Sequence, residues 1–295
     1  MKVFYIIFLL IFFPVSSYCK TTLDKVSPDL SYLWGLSILN DKEILYTQRS
    51  GKIFKLNVYS KQNTEIFDVL NIYNKGQGGL LDIIIDQDEK KIKVILCLSR
   101  YLSNFKASTS IYSFDLIQNT LLNKKILFTA NKPSKSSHHF GCRLAISDNF
   151  IFATIGDRGT RTNSQNLKNH LGSVIKILKN GKDYNNNAFK NARPEILTIG
   201  HRNPQGLAFN PKNKQLWLHE HGPQGGDEVN IILKGKNYGW PIVTHGKEYG
   251  SGAKIGQGLS KFGYEDPVWV WIPSIAPSGM IFYKGDMFSE FKNNI

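Results

Sequence analysis

Short runs of β-branched and aromatic residues alternate with polar turns along most of the chain, and the spacing of amphipathic helices is almost absent. Glycine, asparagine, aspartate and lysine bound these runs, as is typical of short strands joined by tight turns. The turn Arg49-Ser50-Gly51-Lys52 suits a hairpin because its glycine can adopt a positive φ. The pattern therefore predicts an all-β protein. The predicted strands are 43–47, 52–58, 80–85, 93–99, 110–116, 143–147, 150–155, 173–178, 206–210, 215–219, 228–233, 268–271 and 279–283.

Two stretches of the chain repeat the same order of features. Residues 35–58 and 206–233 both begin with Gly-Leu and continue through a strand, a polar turn, a second strand, a glycine loop and a third strand. Residues 142–159 repeat the first half of that unit. Such repetition is typical of a β-propeller, whose blades take about 40–50 residues. A β-sandwich is the competing interpretation, but one sandwich rarely needs this many strands.

The N-terminal segment differs from the rest of the chain. A positive start and an apolar run at 3–15 precede two small serines. This order predicts a secretory signal peptide over residues 1–19, followed by one domain over residues 20–295. The run is shorter than the ~20 residues that span a bilayer, and a buried N-terminal helix is the alternative. Bulky Tyr18 disfavours lipoprotein processing at Cys19, so we expect simple export to a bacterial periplasm or beyond.

Cleavage after Cys19 leaves Cys97 and Cys142 in the mature chain. Two cysteines are not a disulfide scaffold, and no Cys-x-x-Cys pair indicates zinc. An oxidising compartment permits a bridge between them, but the sequence alone does not establish one. We therefore expect two small buried thiols.

Composition and charge limit the kinds of partner that the protein is expected to bind. The chain has 295 residues, of which 41% are hydrophobic, enough for one large domain or two small ones. Lys and Arg number 37 and Asp and Glu 23, so that the formal net charge is +14. This charge favours nucleic acid, anionic lipid or polysaccharide, or a polyanionic cofactor. The lysines are scattered and no base-reading motif is present, which disfavours nucleic acid.

Histidines stand in two of the glycine-rich loops. Either His138 or His139 can act as a general base, although a solvent-facing turn histidine is the alternative for each. His219 and His221 alternate along a predicted strand and resemble a metal pair, but no third zinc ligand follows at a recognisable spacing.

Other polar residues cluster near glycines. Asp227 and Glu228 follow a Gly-Pro loop whose carbonyls suit a hard cation such as Ca²⁺. Arg202 and Asn203 suit a planar ligand that carries carboxylates, and an interblade salt bridge is the alternative for the arginine. Asp157 and Arg158, in the Asp-Arg-Gly turn at 157–159, are expected to have mainly a structural role, either by pairing with each other or by capping the turn.

Taken together, these loops resemble the soluble quinoprotein glucose/sorbosone dehydrogenase family, and most closely its periplasmic aldose sugar dehydrogenase branch. The matching stretches are collinear and run from about Gly35 to the C-terminus: GQGGLLDI, HHFGCRLAIS, IGDRG, PEILTIGHRNPQGLAFNP, LWLHEHGPQGGDEVN, GKNYGWPIVTHGKEY and WIPSIAPSGMIFY. The resemblance implies a six-bladed β-propeller that binds pyrroloquinoline quinone (PQQ) and Ca²⁺. It also implies oxidation of aldose sugars at C1 to lactones, with hydride transfer to the quinone and onward transfer of electrons to an external acceptor.

The resemblance assigns roles to individual residues. His139 matches the catalytic base, and four residues match cofactor contacts. Gly222 and Pro223 match the carbonyls that hold the cofactor's Ca²⁺, and Glu228 and Tyr238 match a second, structural Ca²⁺ site. The residues that match cofactor contacts are Gln77, Arg202, Asn203 and Tyr249.

The chain also departs from the family pattern. Gln48 stands where relatives tend to carry Glu, and Cys142 where a small Ser or Gly is usual. The family continues beyond FYKGDMFSEF into a closing blade with further cofactor-binding arginines, so we expect an incomplete last blade. Two other functions stay open: a degenerate propeller that binds anionic glycans, and a calcium-dependent lactone hydrolase.

Overall fold

The computed structural model of the protein describes residues 23–27, 31–88, 91–103, 105–182 and 184–295. These residues form sixteen strands and two short 3₁₀ helices, Arg161–Gln165 and Ser289–Phe291. The strands are β1 Leu33–Ile38, β2 Glu43–Gln48, β3 Lys52–Asn57, β4 Asn63–Asp68, β5 Leu80–Gln87, β6 Ile92–Tyr101, β7 Ala107–Ile117, β8 Thr120–Thr129, β9 Gly141–Ser147, β10 Phe150–Ile155, β11 Ser173–Leu178, β12 Ile196–Ile199, β13 Pro204–Phe209, β14 Leu216–Glu220, β15 Asp227–Ile232 and β16 Trp269–Trp271.

Each sheet is a meander of four antiparallel strands that follow one another along the chain. In the described part, the four sheets are β1–β4, β5–β8, β9–β12 and β13–β16. The first strands of successive sheets contact each other, β1 with β5, β5 with β9 and β9 with β13. The sheets are therefore arranged as blades around the side on which their first strands lie, as in a β-propeller.

Apolar side chains fill the spaces between neighbouring blades. One cluster joins the first two blades through residues such as Leu96 and Phe114, and a second joins the middle blades through residues such as Phe140 and Ile175. The strand β7 is buried along most of its length, as expected for a strand covered by a blade on each face. Core packing therefore fixes how the blades stack and where their connecting loops meet.

The number of blades differs from the expectation of six. Residues 33–271 form four blades in the structure described. The predicted strand at 279–283 is also wrong: Tyr283 pairs with the backbone of Asn293 and Asn294 in a local turn instead of joining a sheet. Residues 272–295 add no further strand to the structure described.

The repeats identified in the sequence correspond to equivalent parts of the blades. Residues 35–58 cover β1 to β3, and residues 206–233 cover β13 to β15. Residues 142–159 contain most of β9, all of β10 and the loop after them. The propeller prediction is confirmed in its all-β architecture and in the placement of these repeats.

The expectation of two free thiols is wrong. Cys97 on β6 and Cys142 on β9 form a disulfide, with Cα atoms 5.5 Å apart. Both residues are completely buried. The sequence could not predict the pair because the two cysteines come together only when the second and third blades pack against each other.

The predicted signal peptide at residues 1–19, including Cys19, lies outside the described residues. Among the residues that the structure describes, no helix is long and apolar enough to cross a membrane.

Candidate active site

The loop before β9 carries His139 in an unusual backbone conformation. The φ of His139 is +51°, in the left-handed region that residues other than glycine seldom adopt. Its backbone N–H donates to Oε1 of Gln77 over 2.7 Å, which ties the loop to the second blade. Gly156 lies directly behind, and a Cβ at that position would stand 2.2 Å from the His139 carbonyl oxygen. A glycine is therefore required where the two loops meet.

The imidazole of His139 is held by a buried carboxylate. Nδ1 lies 2.7 Å from Oδ1 of Asp157, whose side chain is 1% exposed. An ionised carboxylate only accepts hydrogen bonds, so Nδ1 carries the proton and Nε2 keeps its lone pair. In the described part of the chain, no protein group bonds Nε2, and the side chain stays 14% exposed. This arrangement leaves a basic nitrogen without a partner among the described residues.

Burial lowers the pKa of His139 below the ordinary imidazole value, because desolvation disfavours the charged ring. The hydrogen bond that Nδ1–H donates to Asp157 opposes this effect by stabilising the imidazolium. His139 is consequently neutral at neutral pH and can accept a proton there.

Asp157 has a contact with His139 that the sequence analysis did not predict. It was expected to pair with its neighbour Arg158 or to cap a turn, and it does accept the Gly159 N–H. The same oxygen, Oδ1, contacts Nδ1 of His139, and the other oxygen, Oδ2, accepts Nε1–H of Trp240 over 2.8 Å. A carboxylate directly after β10, at the same blade end as the histidine loop, was the signal available in the sequence.

Arg202 and Asn203 lie on the connection between the third and fourth blades. Nη1 of Arg202 donates to the carbonyls of His221 and Gly222, at 3.0 and 2.7 Å. The backbone N–H of Arg202 donates to Glu220, so no ion pair between blades is needed to place it. The amide oxygen of Asn203 accepts from Gly141, two residues beyond His139. Both residues are buried beside the His139 loop.

A cavity of about 260 Å³ opens beside these residues. Gln77 and Asn203 line it together with Arg49, and Phe140 gives it an aromatic surface. The remaining lining residues are Trp34, Gly76, Leu81, Gly141, Gln205 and His221. Amide groups, a guanidinium and flat apolar surfaces fit a planar polar ligand. Arg49 was not predicted to belong to the site.

Arg202, another predicted cofactor contact, does not line this cavity, and neither does Tyr249. The Tyr249 side chain is 65% exposed on the loop after Trp240. The adjacent Glu248 anchors that loop through a bidentate contact with Arg161, at 2.5 and 2.7 Å.

Three of the four predicted calcium ligands line one small cavity of about 10 Å³: Gly222, Glu228 and Tyr238. Pro223 is not among its lining residues. Glu220 and Arg202 line it as well. Two of the residues predicted for a second, separate site therefore lie close to the first.

The carboxyl group of Glu228 has few partners. Nδ2 of Asn230 donates to it over a long 3.4 Å. Desolvation and the neighbouring Glu220 raise the pKa of Glu228 to about 8. The hydroxyl of Tyr238 donates to the carbonyl of Ile231 and accepts the N–H of Leu233, so the backbone carbonyl is the more available oxygen that Tyr238 can offer to a ligand. Carboxylate and carbonyl oxygens are the donors that a hard cation prefers.

The two histidines of the alternating pair have different surroundings. His221 Nε2 bonds the carbonyl of Pro277 over 2.7 Å. Neither ring nitrogen of His219 has a hydrogen-bond partner of normal geometry, and burial lowers its pKa to about 4. The described residues contain no cluster of three or more His, Cys, Asp or Glu side chains arranged for a metal ion.

Comparison with known proteins defines the family. The model of the family "Glucose / Sorbosone dehydrogenase" matches residues 30–295. The aldose sugar dehydrogenase YliI of Escherichia coli (strain K12) is 35% identical over 278 residues, which cover 90% of this chain and 74% of that protein. The chain therefore belongs to the glucose/sorbosone dehydrogenase family, as the sequence motifs predicted.

Solved structures agree with this assignment. The apo form of the soluble aldose sugar dehydrogenase from Escherichia coli superposes with a TM-score of 0.84 at 34% identity, covering 89% of this chain and 78% of that chain. The PQQ-bound aldose sugar dehydrogenase from Streptomyces coelicolor superposes with a TM-score of 0.76 at 26% identity, covering 90% and 75%. Both similarities extend over most of the described blades.

Proposed function

We propose that this protein is an oxidoreductase that oxidises aldose sugars at C1 to lactones, in a reaction that depends on PQQ and Ca²⁺. The observation that carries the proposal is the His139–Asp157 pair, in which a buried carboxylate holds Nδ1 and leaves Nε2 without a protein partner. The next residues along the chain, Phe140 and Gly141, line the polar cavity. Family membership supports the same chemistry, since the similar proteins are sugar dehydrogenases.

The residues present fit the proposed cofactor. PQQ is planar and carries three carboxylates, and its quinone supplies a two-electron acceptor when bound. Arg202 offers a guanidinium for a carboxylate, and Gln77 and Asn203 offer amides. Arg49 provides the positive charge at the cavity of about 260 Å³, whereas Arg202 lines the small cavity beside Gly222. The net charge of +14 also favours the approach of an anionic cofactor.

The chain's own contribution to the chemistry is proton transfer. Oxidation of an aldose at C1 removes one hydroxyl proton and one hydride. We assign the proton to Nε2 of His139, because its lone pair is free and its low pKa keeps it neutral. Asp157 stabilises the imidazolium that forms and keeps the ring in the productive tautomer.

Calcium has a suitable set of oxygen donors. Glu228 and the carbonyl of Tyr238 would hold one ion at the small cavity. The carbonyls of Gly222 and Pro223 would hold the ion that accompanies the cofactor. The Gly222 oxygen already accepts from Arg202, and its second lone pair remains for a cation.

The proposal includes the location of the reaction. The buried Cys97–Cys142 disulfide supports an oxidising compartment such as the periplasm or the outside of the cell. An external electron acceptor would then regenerate the oxidised cofactor.

The test is reconstitution of the purified chain with PQQ and Ca²⁺, followed by assays with glucose and other aldoses and an artificial electron acceptor. We expect sugar oxidation that His139→Ala abolishes. His138→Ala is the matched control, because this neighbouring histidine is exposed and its side chain forms no hydrogen bond in the described structure. Glycan binding without oxidation, or lactone hydrolysis without PQQ, would contradict the proposal and support the other functions.

A further inference from the structure

Arg158 is a buried cation that the chemistry described so far does not use. Its side chain is 1% exposed, and its guanidinium donates only to backbone carbonyls. Nε donates to His138 over 2.9 Å, Nη1 donates to Ala107 over 3.0 Å, and Nη2 donates to Ser136. Within the described residues, no carboxylate forms an ion pair with it.

Burying Arg158 in this arrangement costs free energy. A guanidinium loses its hydration on burial, and carbonyl groups replace water without neutralising the charge. The pKa of Arg158 falls to about 10 as a result of that desolvation. The nearby Asp157 favours the charged form, but no carboxylate of the described residues bonds the guanidinium, so the buried cation needs an explanation beyond packing.

The contacts of Arg158 surround one residue. The guanidinium binds the carbonyl of His138 on one side of His139 and lies over the ring of Phe140 on the other, with Cζ 3.5 Å from the ring centroid. His139 itself has a φ of +51°, a conformation that persists only where the surroundings enforce it. The adjacent Asp157 binds the imidazole.

We propose that Arg158 is a positioning residue that holds the His138 carbonyl on one side of His139 and the Phe140 ring on the other, so that the imidazole stays bonded to Asp157 with Nε2 directed to the ligand. The inference rests on the proposed function, in which His139 is the base. Asp157 and Arg158 then act together on His139. Asp157 holds its imidazole ring, and Arg158 holds the residues on either side of it.

The experiment uses the full chain without cofactor, so that it does not depend on sugar oxidation. NMR follows the Nδ1 proton of the His139 imidazole and the titration of the ring in the wild type, Arg158→Lys and Arg158→Met. Lysine keeps the charge but cannot bond three carbonyls in one plane or cover Phe140 in the same way. Phe114→Leu is the control, because Phe114 is a buried core residue outside this loop.

We expect Arg158→Met to lose the protected Nδ1 proton and to return the titration of His139 toward the ordinary imidazole value of about 6.5, since the ring is no longer held in its buried position. Arg158→Lys should lie between Arg158→Met and the wild type. Phe114→Leu should keep the wild-type signal of His139 even if this substitution lowers the melting temperature as much as the Arg158 substitutions do. In the reconstituted enzyme, Arg158→Met should lower kcat about 10²-fold with little change in KM.

Two results would overturn the inference. One is a folded Arg158→Met or Arg158→Lys chain whose His139 ring titrates as in the wild type. The other is the failure of both variants to fold while Phe114→Leu folds, because Arg158 would then serve the propeller as a whole. If sugar oxidation is absent from the wild type but the NMR result holds, the proposed function fails and the positioning role stands.

Discussion

His139 experiences two opposing influences, and their balance makes it a base. Desolvation lowers its pKa and the hydrogen bond with Asp157 raises it, with desolvation the larger effect. The same carboxylate accepts Nε1–H of Trp240 and the N–H of Gly159, so its orientation is fixed from three sides. The histidine is thus neutral before the reaction and stabilised as a cation during it.

Replacing Asp157 tests that balance. We expect Asp157→Asn to lower kcat of the reconstituted enzyme by about 10²–10⁴-fold, because an amide neither stabilises the imidazolium nor fixes its tautomer. Steady-state kinetics with glucose measure the loss. Asp148→Asn, on the exposed turn between β9 and β10, is the control and should stay near the wild-type rate. If Asp157→Asn were as fast as this control, the carboxylate would have no role in the mechanism.

The pH dependence follows from the direction of the His139 shift. The neutral ring is the active form, so kcat/KM should fall as the pH drops through the lowered pKa of His139. Above the ordinary imidazole pKa of about 6.5, the titration of His139 should cause no further change in kcat/KM. A pH–rate profile of the free enzyme provides the measurement. An acid limb centred at or above the ordinary imidazole value would show that burial does not control this group.

The strands β6 and β9 connect the site to the stability of the fold. They belong to neighbouring blades, and the disulfide between Cys97 and Cys142 joins them three residues after His139 in sequence. The bridge closes a sequence separation of 45 residues, which restricts the unfolded chain more than a short loop would.

Removing the bridge should weaken the protein. We expect the double variant Cys97→Ala/Cys142→Ala to lose about 4 kcal/mol of unfolding free energy, on the loop-entropy relation for a loop of this length. Urea unfolding, with the wild type measured under oxidising and reducing conditions, gives the value. If reduction and the double substitution both leave the unfolding midpoint unchanged, the two cysteines contribute no stability as a pair.

Two of the strands that the sequence analysis missed, β4 and β8, differ in burial from predicted strands such as β10 and β11. The predicted strands β10 and β11 are mainly apolar and lie inside their blade, so their pattern is clear. The outermost strands β4 and β8 are largely exposed and polar, and they resemble turns when read as sequence. The strand predicted at 279–283 is apolar but pairs with no neighbouring strand in the described structure, because β propensity alone does not form a sheet.

Across the whole molecule, the site is assembled from loops that are distant in sequence. Gln77, His139, Asp157 and Arg202 come from three successive blades and meet at one end of the inner strands. Their family motifs made most of these residues predictable. The disulfide, the exposed position of Tyr249 and the carbonyl contacts of Arg158 were not predictable, since each depends on how separate blades and loops pack.

Calcium should stabilise the whole propeller if Glu228 helps to bind it. At 100 times its Kd, the ion would add about 2.7 kcal/mol to the unfolding free energy. This predicts a melting temperature several degrees higher in the wild type and little change in Glu228→Gln, measured with and without a chelator. Glu65→Gln, an exposed position in the first blade, should keep the full calcium response. A response in Glu228→Gln equal to that of the wild type would place the stabilising ion elsewhere.

The central claim is that His139 takes the proton while C1 of the sugar is oxidised. The most direct measurement is a single turnover: the chain loaded with PQQ and Ca²⁺ is mixed rapidly with glucose, or with glucose deuterated at C1, and reduction of the cofactor is followed by absorbance. We predict rapid reduction by glucose and slower reduction by the deuterated sugar in the wild type, with reduction about 10²–10⁴-fold slower in His139→Gln. Reduction of the cofactor at the wild-type rate in a folded, PQQ-loaded His139→Gln chain would contradict the account.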